Sequence, residues 1–324
     1  LWPCDLGTGK LKRPMKIFRT FFKEEVNTIT VSDNFSITNF WSLRDPQELW
    51  FYQFLKHRNL LNHEVTYNFI SVFGDKPKLN KKHLNIFFSG ENTSLRVYKK
   101  YKNHLLESVD MALGFDYIDH PNYLRFPLWI LYIIPPNASF EDVQNVFDNS
   151  KWASPLNRSI GFSLIASHDR NGIRKKIIGL INKNLSPVVC AGKFRNNSHL
   201  LKEKYNDNKL LFLKDVQFNI CPENSNNEGY VTEKLFEAIS AGCIPIYWGA
   251  RGNPEPLILN PQNIILFDEK NPKKMVLDIK EVDGSNAERA MYTPNAASVV
   301  WSWLEQFEHL VKQKIAEKRS LAER

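Results

Sequence analysis

The chain has 324 residues, is 43% hydrophobic and 24% charged, and carries a formal net charge of +8, which is enough chain for two domains of about 150 residues and a sizeable core. The longest apolar run, FPLWILYII at 126–134, is about half the length of a membrane span and reads as a buried strand or short helix. Basic residues are scattered and acidic ones interleave with them, so no concentrated nucleic-acid face is expected, and a phosphate-bearing substrate or an anionic membrane surface remains as the source of the charge bias.

The opening LWPCDLGTGKLKRP, residues 1–14, reads as an expression remnant or truncation scar. Its LGTGK has a Walker-like look, but Cys4 stands where the first glycine belongs and Leu11 follows Lys10, so it is not a P-loop. From Met15, strand-like runs alternate with polar helix-compatible stretches: KIFRTFF, VTYNFISVF at 65–73, LNIFFSG at 84–90 and SVDMALGF at 108–115. This is α/β rhythm and defines a first domain over 15–150. The Pro- and Asn-rich stretch Pro135–Pro155 breaks the pattern and marks the junction.

The rhythm restarts over 151–300 with SIGFSLIAS as strand, NGIRKKIIGLINKN as helix, SPVVCAG as strand and HLLKEKYND as a weaker helix. VQFNIC, CIPIYWG and NIILF follow as strands, TEKLFEAISA and NPKKMVLDIKEV as helices. Continuously apolar strands between helices predict a parallel sheet covered on both faces. Residues 301–324 form an amphipathic terminal helix with Trp303, Phe307, Leu310, Val311, Lys314 and Ile315 at helical spacing, expected to pack back on the first domain.

Four widely spaced cysteines, Cys4, Cys190, Cys221 and Cys243, form neither a disulfide framework nor a metal pattern and read as reduced core residues. Five Asn-x-Ser/Thr sequons, at Asn34, Asn92, Asn137, Asn157 and Asn196, are matched by chance in so Asn-rich a chain. A cytoplasmic protein, peripheral at the inner membrane face if membrane-associated at all, is the expectation.

Two α/β halves place the default ligand site in a crevice facing the carboxyl ends of the strands. Neither GxGxxG nor Asp-x-Asp is present, so phosphate is expected to be met by cations and helix dipoles, without a metal. The strand VQFNIC ends at Pro222, a polar loop follows, and a helix starts near Val231–Glu233, presenting N–H groups and a positive dipole end. Lys234 in its first turn opposes that dipole by about 0.3–1 kcal/mol unless an anion sits there too. Glu233 can accept from sugar hydroxyls, and Tyr230 and Asn224 can donate to phosphate or ribose. Gly242 ends the helix. Arg174 repeats the placement in the first turn after SIGFSLIAS, and Glu91 follows a strand end at Gly90 as a candidate general base. Local physics is also served by a solvated Glu233–Lys234 pair, a solvated Arg174 and an ordinary turn carboxylate at Glu91.

The stretch FNICPENSNNEGYVTEKLFEAISAGCIPIYWG at 218–249, with FFSGEN, DMALGFDYID, NYLRFPL and LIASHDRNGIR, resembles the α1,3/4-fucosyltransferases, especially the bacterial enzymes that build Lewis-type antigens. The similarity spans roughly 84–250. It implies two Rossmann-like domains facing across a cleft (GT-B architecture) and an inverting, GDP-fucose-dependent transfer of L-fucose to the GlcNAc 3-OH or 4-OH of a lactosamine-type glycan. By matching positions it implies Glu91 as base, Arg174 and Lys234 on the diphosphate, and Asn224, Tyr230 and Glu233 in the donor site, with no cofactor or essential metal. The heptad-type C-terminal repeats of some bacterial members are missing. The alternatives are another GT-B transferase with a different nucleotide sugar, or a noncatalytic glycan-binding protein.

Overall fold

The computed structural model describes residues 25–61, 64–148, 158–283 and 290–322; the 1–14 segment, the KIFRTFF strand, Cys4 and Asn157 lie outside them. The contacts divide the chain into two compact units, one of 25–143 with 298–322 and the other of Gln144–Ala297.

The first unit holds a six-stranded sheet of β1 (Thr28–Ser32), β2 (Phe35–Thr38), β3 (Tyr67–Ile70), β4 (Leu84–Phe88), β5 (Met111–Gly114) and β6 (Tyr123–Arg125), in chain order across the sheet. β1 and β2 are antiparallel and every later neighbour is parallel. Among the described residues the α-helices up to 148 are α1 (Trp50–His57), α2 (Ile130–Ile133) and α3 (Phe140–Asp148). FPLWILYII thus contains a one-turn helix. The expected break over Pro135–Pro155 is not uniform, because Ser139 and Asp142 exchange capping bonds, Ser139 N–H to Asp142 Oδ2 at 2.8 Å and Asp142 N–H to Ser139 Oγ at 3.2 Å. That reciprocal pair starts α3, and Val143 and Phe147 bury its apolar side.

In the second unit the chain runs β7 (Ile160–Leu164), α4 (Ile173–Asn184), β8 (Val188–Cys190), α5 (Leu200–Glu203), α6 (Lys209–Lys214), β9 (Val216–Ile220), α7 (Glu233–Ser240), β10 (Ile244–Tyr247), β11 (Ile265–Leu266) and α8 (Pro272–Asp283). All strand pairs are parallel, in the order β11-β10-β9-β7-β8. The chain leaves β7 toward β8 and returns to β9 on its other side, so the β7/β9 boundary is a topological switch point, where open α/β sheets bind ligands. HLLKEKYND supplies only the short α5. The following KLLFLK forms α6, unpredicted because six residues are too few for a period, with Asn208 Oδ1 accepting from Leu211 N–H at 3.0 Å as its cap.

Cys190, Cys221 and Cys243 are free and buried, and burial pushes the Cys243 thiol up to about 12. α7 ends in a Schellman turn: Cys243 N–H donates to Ala238 O at 2.9 Å and Gly242 N–H to Ile239 O at 2.7 Å, with Gly242 at φ 72°.

The last helix, α9 (Ala296–Ala322), is amphipathic as expected, but its buried seam is Val300, Leu304, Phe307, Val311 and Ile315, with Lys314 beside it. Trp303 and Leu310 are half-buried flanks, and Leu304, overlooked in the pattern, is in the core. Phe307 packs on Phe54, Phe126 and Phe51 at ring distances of 5.1, 5.3 and 5.8 Å, so the seam closes the first unit's core. Among the described residues no helix is long and apolar enough to cross a membrane.

Candidate active site

The loop that follows β9, Pro222-Glu223-Asn224, lies at the switch point and is where two cations are held. Arg174, in the first turn of α4, is 5% exposed. Its Nη1 donates to His168 O, and its Nη2 to Pro222 O at 3.3 Å and to Asn224 Oδ1 at 3.1 Å. Its Nε is buried with no hydrogen-bond partner among the described residues. Burial pulls the guanidinium pKa down, opposed by Asp169, Glu223 and Tyr230, and an arginine stays charged through such a shift. Arg174 is therefore not a solvated helix residue; it is a cation fixed against the loop after β9.

Lys234 meets that loop from α7. Its Nζ donates to Thr232 Oγ1 at 2.7 Å and to Glu223 Oε2 at 3.3 Å, and lies 3.4 Å from Glu233 Oε1. Glu223 has no exposed side-chain surface and also accepts from Thr232 N–H at 2.7 Å and Thr232 Oγ1 at 2.7 Å. This changes the reading of the helix start. The anion that offsets Lys234 against the dipole is supplied in part by the chain itself, so a cation in the first turn does not by itself demand a bound phosphate. The same holds at α4, where Asp169 accepts from Arg174 N–H at 3.2 Å and Lys175 N–H at 2.9 Å.

Glu223 and Asp169 escaped the sequence reading because a loop carboxylate gives no period. The only local signals were the Glu-Asn pair before YVTEK and an Asp a few residues before a helix, which is an ordinary capping position.

Burial raises the Glu223 pKa, with Lys234 working against it. For Glu233, burial raises and Lys234 and Lys209 lower; the two lysines, helped by hydrogen bonding at the helix start, hold the carboxyl below its usual range. Glu233 is thus an anion beside Lys234 with part of its side chain still exposed. Asn224 is half-buried and committed to Arg174 through Oδ1, while its carbonyl accepts from Asn171 Nδ2 at 3.3 Å. Tyr230 is 2% exposed, and its carbonyl accepts from Tyr247 Oη at 3.4 Å. Gly249 backs the cluster, since a Cβ there would sit 2.7 Å from Glu223 Cγ and 2.7 Å from Tyr247 Oη.

Glu91 belongs to the first unit, three residues past the end of β4. Ser89 ties the turn, its Oγ donating to Glu91 O at 2.8 Å and accepting from Glu91 N–H at 3.2 Å. Gly90 lies against Leu128, whose Cδ1 would be 2.9 Å from a Cβ at that position. The site residues therefore fall into two groups: Arg174, Asn224, Tyr230, Glu233 and Lys234 around one loop of the second unit, and Glu91 at the carboxyl edge of the first unit's sheet. Among the described residues no group of three or more His, Cys, Asp or Glu side chains is placed to hold a metal ion.

The two units are thus α/β sheets, one parallel throughout and one parallel from β2 onward, with charged residues gathered at the carboxyl ends of strands. A crystal structure of an α1,3-fucosyltransferase with GDP superposes with a TM-score of 0.55 at 23% identity, over 85% of this chain and 89% of that one, and it bears on the fold alone. Family models match the sequence over most of its length: the α1,3-fucosyltransferase N-terminal domain over 35–132 and the glycosyltransferase family 10 (fucosyltransferase) C-terminal region over 158–317. The chain belongs to this fucosyltransferase family. The match begins at 35, well before the 84 where motifs alone were visible. Relatives include the α-(1,3)-fucosyltransferase FucT of Helicobacter pylori, 30% identical over 57% of this chain and 42% of its own length. Another is the human 4-galactosyl-N-acetylglucosaminide 3-α-L-fucosyltransferase 9, 35% identical over 57% of this chain and 58% of its own. The chain thus aligns with about half the length of these curated relatives.

Proposed function

We propose that this protein transfers L-fucose from GDP-fucose to the GlcNAc 3-OH of a lactosamine-type glycan, with inversion at the fucose anomeric carbon. The observation that carries the proposal is the convergence of the buried Arg174 and the half-buried Lys234 on the loop after β9, at the sheet's switch point. The name of the human relative, a 3-fucosyltransferase of 4-galactosyl-N-acetylglucosaminide, supports the acceptor and the linkage.

In this reading Glu91 takes the proton from the acceptor hydroxyl as that oxygen bonds to fucose C1 and the bond from C1 to the diphosphate breaks. The departing diphosphate gains negative charge, which Arg174 and Lys234 stabilise without reorganising, because both are already held by protein oxygens. Glu233, anionic beside Lys234, accepts from fucose hydroxyls or offsets the positive charge that develops on the sugar. Asn224, whose Oδ1 accepts from Arg174, lines the donor site and holds that guanidinium in place, with Tyr230 lining the site beside it. No metal or cofactor is assigned a role, and transfer should persist in excess chelator.

The test is to incubate the protein with GDP-fucose and type 1 and type 2 disaccharides and to identify the product linkage. A 3-linked fucosyl product on the type 2 disaccharide is expected. Transfer from a UDP- or CMP-sugar in place of GDP-fucose would overturn the assignment.

A further inference from the structure

The loop after β5 exposes an aromatic ring that its own anchoring does not explain. Phe115 is buried at 2% exposure, Asp116 Oδ2 lies 2.8 Å from Nε2 of the fully buried His104, and Ile118 packs on the core cluster around Phe87, Tyr101 and Ala112. Tyr117, between these fixed points, is 57% exposed. A loop that turns a large ring toward solvent loses apolar burial at that position, and tyrosine is enriched at interfaces because it pairs an apolar ring with a hydroxyl that stays wet.

The ring is also held in a stack. Arg125 Cζ lies 4.7 Å from the centre of Tyr117 and 5.2 Å from the centre of Trp303, and Trp303 in turn lies 6.2 Å from the buried Trp129. The planar guanidinium thus fixes the Tyr117 and Trp303 rings relative to one another.

The stack shares a sheet edge with Glu91. Phe88, Leu113 and Leu124 are in register across β4, β5 and β6, so the chain just past each, carrying Glu91, Tyr117 and Arg125 respectively, leaves from the same carboxyl edge. Neighbouring strands lie about 4.8 Å apart. Gly90 lies against the side chain of Leu128, three residues beyond Arg125, so the Glu91 turn packs on the segment that follows β6.

We infer that Tyr117, positioned by Arg125 and Trp303, is the platform on which the galactosyl ring of the acceptor packs, its C–H face against the tyrosine ring, while the adjoining GlcNAc presents its hydroxyl to Glu91. The inference rests on the fucosyltransferase reading for the identity of the sugar, and on the placement of Tyr117 for the site.

The experiment titrates the whole chain with N-acetyllactosamine, without donor, by saturation-transfer NMR, and in parallel measures acceptor KM with GDP-fucose. Tyr117→Ala should weaken disaccharide binding and raise acceptor KM about tenfold, while GDP still protects the fold against heat as in the wild type. Tyr117→Phe, which keeps the ring, should stay within about twofold of wild type. Wild-type affinity for the disaccharide in Tyr117→Ala, or no binding by the wild type, overturns the platform. Tyr117-dependent binding of the disaccharide without any transfer from GDP-fucose would sustain the platform and overturn the fucosyltransferase reading instead.

Discussion

Removing the Glu223 carboxylate should loosen the start of α7 and the placement of Lys234 together. Glu223→Ala strips the acceptor from two buried donors, Thr232 N–H and Thr232 Oγ1, and leaves Lys234 Nζ, in a side chain 23% exposed, without its buried counter-charge. Each buried donor left unsatisfied costs about 1–3 kcal/mol, and the loss of one ion-pair partner adds to this, partly offset because the partly exposed Lys234 keeps Glu233 Oε1 at 3.4 Å. These losses overlap, so we expect about 3–5 kcal/mol in all, a fall in Tm on the order of 10 °C for domains of this size. Thermal denaturation followed by circular dichroism measures it. The sign of the pH dependence is fixed as well. The folded Glu223 pKa is raised above 4.5 by burial, so the group contributes stability in acid that is lost as pH rises through the folded value. The advantage of wild type over Glu223→Gln, which does not titrate, should therefore shrink as pH climbs from 4.5 into that range. A Tm for Glu223→Ala within about 1 °C of wild type would refute the role given to this carboxylate.

Other substitutions probe separate parts of the structure. Gly242→Ala places a Cβ 2.5 Å from Arg158 Nη2 at φ 72°, and should lower stability by more than about 1 kcal/mol in urea denaturation. Phe307→Ala empties the aromatic seat of α9 against Phe51, Phe54 and Phe126 and should cost about 3–5 kcal/mol by the same measurement. Glu91→Gln should cut turnover by about 10² to 10⁴ while GDP binding, followed by calorimetry, is kept; near-normal turnover would remove Glu91 as the base.

What could be read in advance follows the strength of local periodicity. The second unit's sheet was legible strand by strand, because buried parallel strands such as IGFSL and IPIY are predominantly apolar runs between turn residues. Gly242 was legible as a helix stop, since the left-handed position of a Schellman turn favours glycine. The β1–β2 hairpin and α1 were not, because their mixed polar and aromatic pattern fits either period over so few residues. At the site, Arg174 and Lys234 stood out as cations in first turns, where the dipole rule makes them conspicuous. Glu223 and Asp169, which hold those turns, were silent, because a buried loop carboxylate is defined only by partners brought in from elsewhere in the chain. The lysine that first pointed to a diphosphate is thus already half-answered by the protein, and the remaining case for phosphate rests on two cations meeting at one loop.

That case is tested most directly by titrating GDP into wild type, Lys234→Ala and Arg174→Ala in a calorimeter. If the loop after β9 is the donor diphosphate site, each substitution weakens GDP binding about tenfold or more, as loss of a charge-assisted contact worth about 1.5–3 kcal/mol requires. Unchanged GDP affinity in both variants, with their folds intact, would contradict the placement of the donor at this loop.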